Sequence, residues 1–322
     1  MYAKIIGTGA YVPGEPVPNQ YFEGIMDTND EWIRSRTGIH TRHFSRGENT
    51  SDLGQKAAEA ALKDAGITAQ ELDLIVYATM TPDAYMPSTA CLVQGKIGAV
   101  NAFAFDVNAA CSGFMYAMSV AREFIEGGRV KKALVLGGEV MSKALDFQDR
   151  STAVLFGDGA GAAILEASEE PGILSTYIGS REDVKGSLSL KALPLENPFV
   201  EKDGDWNTKL TMEGREVFKF STQIIGECLD GVLAGTGHTL EDVKLIIPHQ
   251  ANYRLIDYAI GKNEALKDKF FLNVDKYGNT SAGSIAIALN QVRQENLAGP
   301  GDLIILVGFG GGFTWGSLLI KL

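Results

Sequence analysis

Apolar residues along the chain fall into two kinds of pattern. Runs of Val, Ile, Leu and Ala without strict alternation occur at residues 71–80 (ELDLIVYATM), 103–109 (FAFDVNA), 131–140 (KKALVLGGEV) and 161–167 (GAAILEA). Such runs predict strands covered on both faces, because a strand open to water on one side alternates polar and apolar residues. Helix-length segments, such as SDLGQKAAEAALKDAG over residues 51–66, separate them. The alternation predicts an α/β protein with mixed parallel sheets.

The pattern also repeats. ALKDAGITAQELDLIVYATM (61–80) aligns with VLAGTGHTLEDVKLIIPHQA (232–251), pairing Leu62 with Leu233, Gly66 with Gly237, Thr68 with Thr239, Leu72 with Val243 and Leu74 with Leu245. Each copy reads as helix, Gly stop, Thr cap, acidic turn and buried strand. AFDVNAACSG (104–113) resembles FLNVDKYGNTSAG (271–283), and ALVLGGEV (133–140) resembles LIILVGFG (303–310), in the same order. Two similar halves, 1–172 and 173–322, are expected to pack about a pseudo-dyad. Equivalent strand-to-helix junctions then converge where open sheets place their ligands.

Composition narrows the class. With 322 residues, 45% of them hydrophobic, the chain can bury a sizeable core, and 21% charged residues fit neither a disordered nor a membrane-embedded protein. No apolar run reaches membrane-spanning length, and MYAKIIGTGAYVPG lacks the regions of a signal peptide. A cytoplasmic protein with no membrane contact is expected. The net charge of −11, spread without like-charge blocks, disfavours nucleic acid. Cys91, Cys111 and Cys228 form no CxxC pair, and the four histidines show no metal-ligand spacing, so no metal site is expected.

Three junction residues carry candidate chemistry. Cys111 follows the strand FAFDVNAA and opens the helical pattern SGFMYAMSVAREFIEGG. Free N–H groups and the positive dipole end at that position favour the nucleophilic thiolate. A buried small hydrophobe is the plainer role for a cysteine; the repeat context favours the nucleophile. Cys91 and Cys228 lie in apolar helical patterns and read as core. His249 ends VKLIIP, where the alternative is a capping or half-buried histidine. His40 and His43, flanking Arg42 in a polar stretch, read as surface, and His238 lies in a turn. Asn279, in KYGNTSAGSIAIALNQV, reads equally as an N-cap or as an amide donor to a carbonyl becoming an enolate. GDGAGAA (157–163) and GFGGGFTWGS (308–317) match neither phosphate-loop fingerprint, and suit close backbone approach near an active site.

VNAACSGF, PHQAN, YGNTSAGS and GFGGGFTWGS, together with TNDEWIRSRTGIHTRH and FGDGAGAAILEASEEPGI, resemble the β-ketoacyl-[acyl-carrier-protein] synthase III family of thiolase-fold condensing enzymes over nearly the whole chain. The resemblance implies a five-layered αβαβα fold, a homodimer, and a decarboxylating Claisen condensation of an acyl-CoA with malonyl-[acyl-carrier-protein], with no metal or organic cofactor. It makes Cys111 the nucleophile, His249 and Asn279 the donors to the malonyl enolate, and the backbone of Cys111 and Gly311 the oxyanion site. Elongating synthases carry Cys–His–His and thiolases a second cysteine, so Asn279 discriminates; chalcone-synthase-like enzymes share Cys–His–Asn but lack WIRSRTGI and GGGFTWG in this form. A related condensing enzyme of specialised metabolism is the alternative, and an inert carrier-binding protein a third that the intact trio argues against.

By the same resemblance Trp32 and Arg36 grip the CoA adenine, Arg150 binds the nucleotide, and Asn252 the pantetheine. Gly214, Phe218 and Phe309 line the tunnel. On the residues alone, Trp32 is a half-exposed core aromatic and Arg36 a solvated helix-end charge. Met86 replaces the family's frequent Phe in the acyl pocket, and Lys219, Arg254 and Lys262 resemble a basic patch that docks the acidic carrier.

Overall fold

The computed structural model describes residues 1–200, 206–261 and 264–322. Two mixed sheets carry the fold. The first contains β1 (Tyr2–Tyr11), β2 (Leu74–Ala78), β3 (Phe103–Val107), β4 (Lys132–Glu139) and β5 (Gly159–Ser168), in the order β1-β5-β4-β2-β3. The second contains β6 (Ile173–Ser180), β7 (Val243–Pro248), β8 (Leu303–Gly310) and β9 (Thr314–Lys321), in the order β7-β8-β9-β6. Strand for strand, β6, β9, β8 and β7 repeat β1, β5, β4 and β2, including the parallel β2–β4 and β7–β8 pairs and the antiparallel partners beside them. The place of β3 is held in the second sheet by one parallel bridge, Ile246 to Phe270. That bridge adjoins the FLNV run that the sequence aligns with AFDV.

Helices make the other layers. The helices that matter to the site are α1 (Asp30–Thr37), α2 (Thr50–Ala65), α3 (Thr89–Ile97), α4 (Gly113–Glu126), α5 (Gly214–Leu233), α6 (Tyr253–Ile260) and α7 (Gly283–Gln294). Phe114, Met115 and Met118 of α4 and Ile285 and Leu289 of α7 share one core with Val76 and Val135 of the first sheet and Ile304, Leu306 and Leu318 of the second. These two helices are apolar on opposite faces because a sheet covers each face. Helices α2 and α3 cap the first sheet, and α5 and α6 cap the second. The result is the five-layered αβαβα arrangement.

The repeated caps are realised in both copies. Gly66 and Gly237 sit at φ 68° and 78°. Thr68 N–H donates to Glu71 Oε1 at 3.0 Å, and Thr239 N–H to Asp242 Oδ2 at 2.8 Å. Two expectations from local polarity fail, those for Cys91 and His43. Cys91 is exposed, because α3 turns that face outward; Cys228 alone of the pair is core. His43 is buried, with Nδ1 beside the Pro13 and Gly14 carbonyls. Arg42 is wholly buried; it donates to Asn19 Oδ1 at 2.7 Å and lies 4.7 Å over the Phe22 ring. Desolvation lowers its pKa to about 10.

Glycine sets how closely the layers approach. A Cβ on Gly161 of β5 would lie 2.5 Å from Ala286 Cβ and 2.6 Å from Ile287 N of α7. The glycines of GDGAGAA therefore seat a central helix on its sheet. Gly161→Val should destabilise the protein by about 1–3 kcal/mol through overpacking, read as a lower urea midpoint. An unchanged midpoint would contradict this packing.

Candidate active site

Cys111 lies in a 3₁₀ turn, Ala110–Ser112, between the end of β3 and the first turn of α4. The turn is tight enough to hold Ala110 at φ 47°, a left-handed conformation that costs a residue with a Cβ about 1–3 kcal/mol. Asn108 Oδ1 accepts from Ala110 N–H at 3.1 Å and supports the strained residue. From the other half, the end of β8 presses on the cysteine: a Cβ on Gly310 would lie 2.7 Å from Cys111 N. Thr314 Oγ1 joins the two pieces, 2.9 Å from both Ala109 O and Gly311 O and 2.8 Å from Ser112 Oγ. Cys111 is buried, and Gly311 stands beside it on a shared cavity wall.

His249 follows β7, and its N–H donates to Val307 O of β8 at 2.7 Å. Its ring is buried edge-on to Phe309, 5.3 Å between centroids. Nδ1 lies 2.7 Å from Ser284 Oγ. That oxygen also accepts from Gln250 N–H at 3.4 Å; with the Ser284 proton given to Nδ1, the ring proton sits on Nε2. Asn279 is held by its backbone between Leu155 O and Gly157 N–H, at 2.9 and 3.0 Å. Its Oδ1 accepts from Ser281 N–H at 2.8 Å, so the amide turns its Nδ2 donors the other way. Asn279 is not the N-cap of α7; Ala282 occupies that position without a side-chain cap. Ser281 is the counterpart of the strained elbow, at φ 49°.

Burial sets the resting charges. It pushes the Cys111 thiol up to about 12, against the Ser281 hydroxyl, which favours thiolate, and with a further push from Glu139. Burial thus works against the thiolate that the helix position favours. Burial likewise lowers His249 to about 3. A protonated thiol and a neutral imidazole, rather than an ion pair, occupy the site at neutral pH. Ser284 and Glu139 were not singled out in the sequence. Buried Glu139 accepts from Thr79 Oγ1 at 2.7 Å, Met80 N–H at 3.0 Å and Thr81 N–H at 2.9 Å, pinning the chain beyond β2. The second serine of Asn-Thr-Ser-Ala-Gly-Ser, three residues past Ser281, was the available signal for the first; a carboxylate ending an apolar strand was the signal for the second.

Two cavities meet at Cys111. One, of about 440 Å³, also touches His249 and Asn279 and is lined by Arg36, Gly214, Phe218, Asn252, Arg254 and Phe309. The other, of about 1180 Å³, is lined by residues 79–85, 105–111 and 188–193 and by Gly311. Trp32, on α1, stacks with Arg150 and Arg36, whose guanidinium carbons lie 4.9 and 6.0 Å from its ring centroid. Lys219 lies outside the first cavity, on a groove between α5 and α6. Lys262 lies outside the described residues. Met86 is 86% exposed and lines neither cavity, because the segment around it projects from the surface; within one chain the expected acyl-pocket contact is not made. Among the described residues no cluster of three or more His, Cys, Asp or Glu could hold a metal, and no helix could cross a membrane.

The chain matches the family described as 3-Oxoacyl-[acyl-carrier-protein (ACP)] synthase III over residues 105–182 and its C-terminal counterpart over residues 233–322. The β-ketoacyl-[acyl-carrier-protein] synthase III of Clostridium novyi is 52% identical, covering 99% of this chain and 98% of that one. That of Clostridium acetobutylicum is 49% identical over the same shares. The crystal structure of 3-oxoacyl-[acyl-carrier-protein] synthase III from Aquifex aeolicus superposes with a TM-score of 0.92 at 43% identity, covering 99% of this chain and 100% of that one. The priming β-ketosynthase of the R1128 polyketide pathway also superposes at 0.92, with 32% identity and 100% and 96% coverage.

Two measurements check this site. Alkylation of Cys111 by iodoacetamide, followed on its own peptide because Cys91 is exposed, should climb about tenfold per pH unit from pH 7 to 9 without levelling. A plateau near neutrality would contradict the protonated thiol. In ¹⁵N spectra His249 should hold the Nε2–H tautomer from pH 8 down to 5, and Ser284→Ala should mix the tautomers. A single unchanged tautomer in that variant would remove Ser284 from its orienting role.

Proposed function

The chain belongs to the 3-oxoacyl-[acyl-carrier-protein] synthase III family and is an acyltransferase of that kind; we propose that it joins a short or branched acyl-CoA to malonyl-[acyl-carrier-protein] to begin fatty acid biosynthesis, through Cys111, His249 and Asn279. The single observation that carries the assignment of residues is the position of Cys111, where the two cavities meet with two oriented donors on one side.

In the first half-reaction the Cys111 sulfur bonds to the acyl carbon, the bond from that carbon to the CoA sulfur breaks, and the thiol proton leaves with CoA. The transient oxyanion is received by the N–H groups of Cys111 and Gly311. His249, held neutral by burial, is a poor base here, so the proton passes to the departing thiolate. In the second half-reaction the malonyl carboxylate departs as CO2. The electron pair it leaves becomes an enolate whose oxygen accepts from His249 Nε2–H and Asn279 Nδ2–H. The enolate carbon attacks the acyl thioester, and the released Cys111 sulfur takes up a proton. Neutral donors suit this step, since they favour the developing charge without trapping it as an ion pair. No part of this chemistry needs a metal or an organic cofactor.

The Trp32–Arg150 pair opens to stack adenine, with Arg36 beside it, and the pantetheine arm runs past Asn252, Gly214, Phe218 and Phe309 to the sulfur. The acyl chain enters the larger cavity. Tyr85, 70% exposed, lines that cavity, and Met86 next to it is 86% exposed and projects away, a placement that suits a homodimer in which each copy's Met86 closes its partner's acyl pocket. Lys219 and Arg254 give an acidic enzyme a local positive face for an acidic carrier, and the working compartment is the cytoplasm.

A panel of acyl-CoAs with malonyl-[acyl-carrier-protein] tests the reading: one CO2 should appear per β-ketoacyl product. Failure with every acyl-CoA, or product only with other extender thioesters, would favour a specialised-metabolism role. His249→Ala and Asn279→Ala should each lower decarboxylation about 10²–10³-fold while Cys111 still loads acyl groups. Normal decarboxylation in either variant would refute their role. Lys219→Glu should raise KM for the carrier at low salt and spare acyl-CoA loading. Equal effects on both substrates would place the docking patch elsewhere.

A further inference from the structure

The run TNDEWIRSRTGIHTRH supplies Trp32 and Arg36 to the reading above and leaves its end, His40 to His43, without a task. Arg42 in that end is wholly buried and lines neither cavity. Its hydrogen-bond acceptors are all neutral: Val154 O at 2.6 Å, Asn19 Oδ1 at 2.7 Å and Val17 O at 3.4 Å. Its Nε has no hydrogen-bond partner among the described residues. Asp30, the acid whose charge reaches it, is joined to it through Asn19, whose Nδ2 donates to Asp30 Oδ1 at 2.8 Å. A cation enclosed in this way costs folding free energy that an apolar side chain of the same size would not. Its use is therefore to be sought in what it holds.

What it holds is the cradle of Asn279. Val154, the acceptor of one guanidinium nitrogen, opens the segment 154–157, in which Leu155 O accepts from Asn279 N–H and Gly157 N–H donates to Asn279 O. Phe156 and Asn279 form a parallel bridge between those two bonds. The neighbours of Arg42 grip the same pieces: His43 O accepts from Asp158 N–H at 2.8 Å, His40 N–H donates to Asp275 O at 2.9 Å, and the Thr41 hydroxyl donates to Lys276 O at 2.8 Å. The base of the Arg42 side chain fills the space between them, since a Cβ on Gly157 would lie 3.0 Å from Arg42 Cβ and one on Gly278 3.2 Å from it. Ser281 N–H sets which way the Asn279 amide turns, whereas the cradle sets where it stands. We propose that Arg42 is a positioning residue for Asn279, holding the Val154 carbonyl and the Gly157–Gly278 contact at the spacing that brings the amide to the enolate oxygen. The inference rests on the reading above, in which Asn279 serves decarboxylation and Cys111 the loading step. It adds a buried cation, remote from both substrates, on which only the second half-reaction depends.

A double-mutant cycle on malonyl decarboxylation separates positioning from a general loosening of the fold. Arg42→Met should lower kcat for that step about tenfold to hundredfold, the cost of a misplaced group. KM for malonyl-[acyl-carrier-protein] and the rate of Cys111 loading should stay within about twofold. In the Asn279→Ala background the same substitution should cost nothing further, and Arg42→Lys, which can still reach one carbonyl, should lose less than Arg42→Met. Equal losses in both half-reactions, a loss that persists undiminished beside Asn279→Ala, or a lysine no better than methionine would overturn the positioning role. Where Arg42→Met is recovered only unfolded, Arg42→Lys carries the cycle. A smaller loss, confined to kcat and absent beside Asn279→Ala, then sustains the proposal; no loss, or a loss in both half-reactions, overturns it. An Asn279→Ala enzyme that decarboxylates at the unmodified rate would overturn the functional reading itself, and this inference with it.

Discussion

The first turns of the two central helices start against each other, and the site depends on that contact. A Cβ on Gly113 would lie 3.0 Å from Ala78 Cβ and 3.6 Å from Ala282 Cβ, and one on Gly283 would lie 2.7 Å from Gly159 O. Only small residues allow two helices and two sheets to converge so closely. Cys111 stands two residues before Gly113, Asn279 four before Gly283, and Ser284 one after it. The cysteine, the amide and the hydroxyl beside the imidazole are thus carried to one point by the packing of the core. The two left-handed residues that flank them, Ala110 and Ser281, are where the backbone yields to meet that packing.

The same convergence removes water and sets the electrostatics. A thiol raised to about 12 and an imidazole lowered to about 3 are both neutral, so the site stores no charge before substrate arrives. In the proposed reaction charge develops on substrate oxygens instead, where oriented N–H groups would meet it at no cost of reorganisation. Ser284 and Ser281 do comparable work in this scheme. One fixes which imidazole nitrogen donates, and the other, through its backbone N–H, fixes which end of the Asn279 amide donates.

Much of this was legible in the chain. Unbroken apolar runs marked buried strands, and the aligned Gly66/Gly237 and Thr68/Thr239 pairs foretold a doubled fold, because stops and caps are local chemistry that either copy must satisfy. The junction residues followed from that doubling. What failed was burial of individual polar or small residues. Cys91 reads like Cys228 in its window but faces solvent, and His43 sits in a polar stretch yet is buried, its Nδ1 beside the Pro13 and Gly14 carbonyls of a distant segment. The push of burial on the thiol was also missed: helix position is visible in sequence, whereas the burial that opposes it includes Gly310 of the other half, packed against Cys111. Resemblance located Trp32 and Arg150; only the structure placed one over the other.

The central claim is that Cys111 carries the acyl group covalently between the two cavities. Peptide-mapped mass spectrometry on quenched samples tests it most directly. After mixing with acyl-CoA, the acyl mass should appear on the Cys111 peptide alone, and it should vanish when malonyl-[acyl-carrier-protein] is added, in step with β-ketoacyl product. Acyl mass on Cys91 or Cys228, or product formed with Cys111 unmodified throughout, would contradict it.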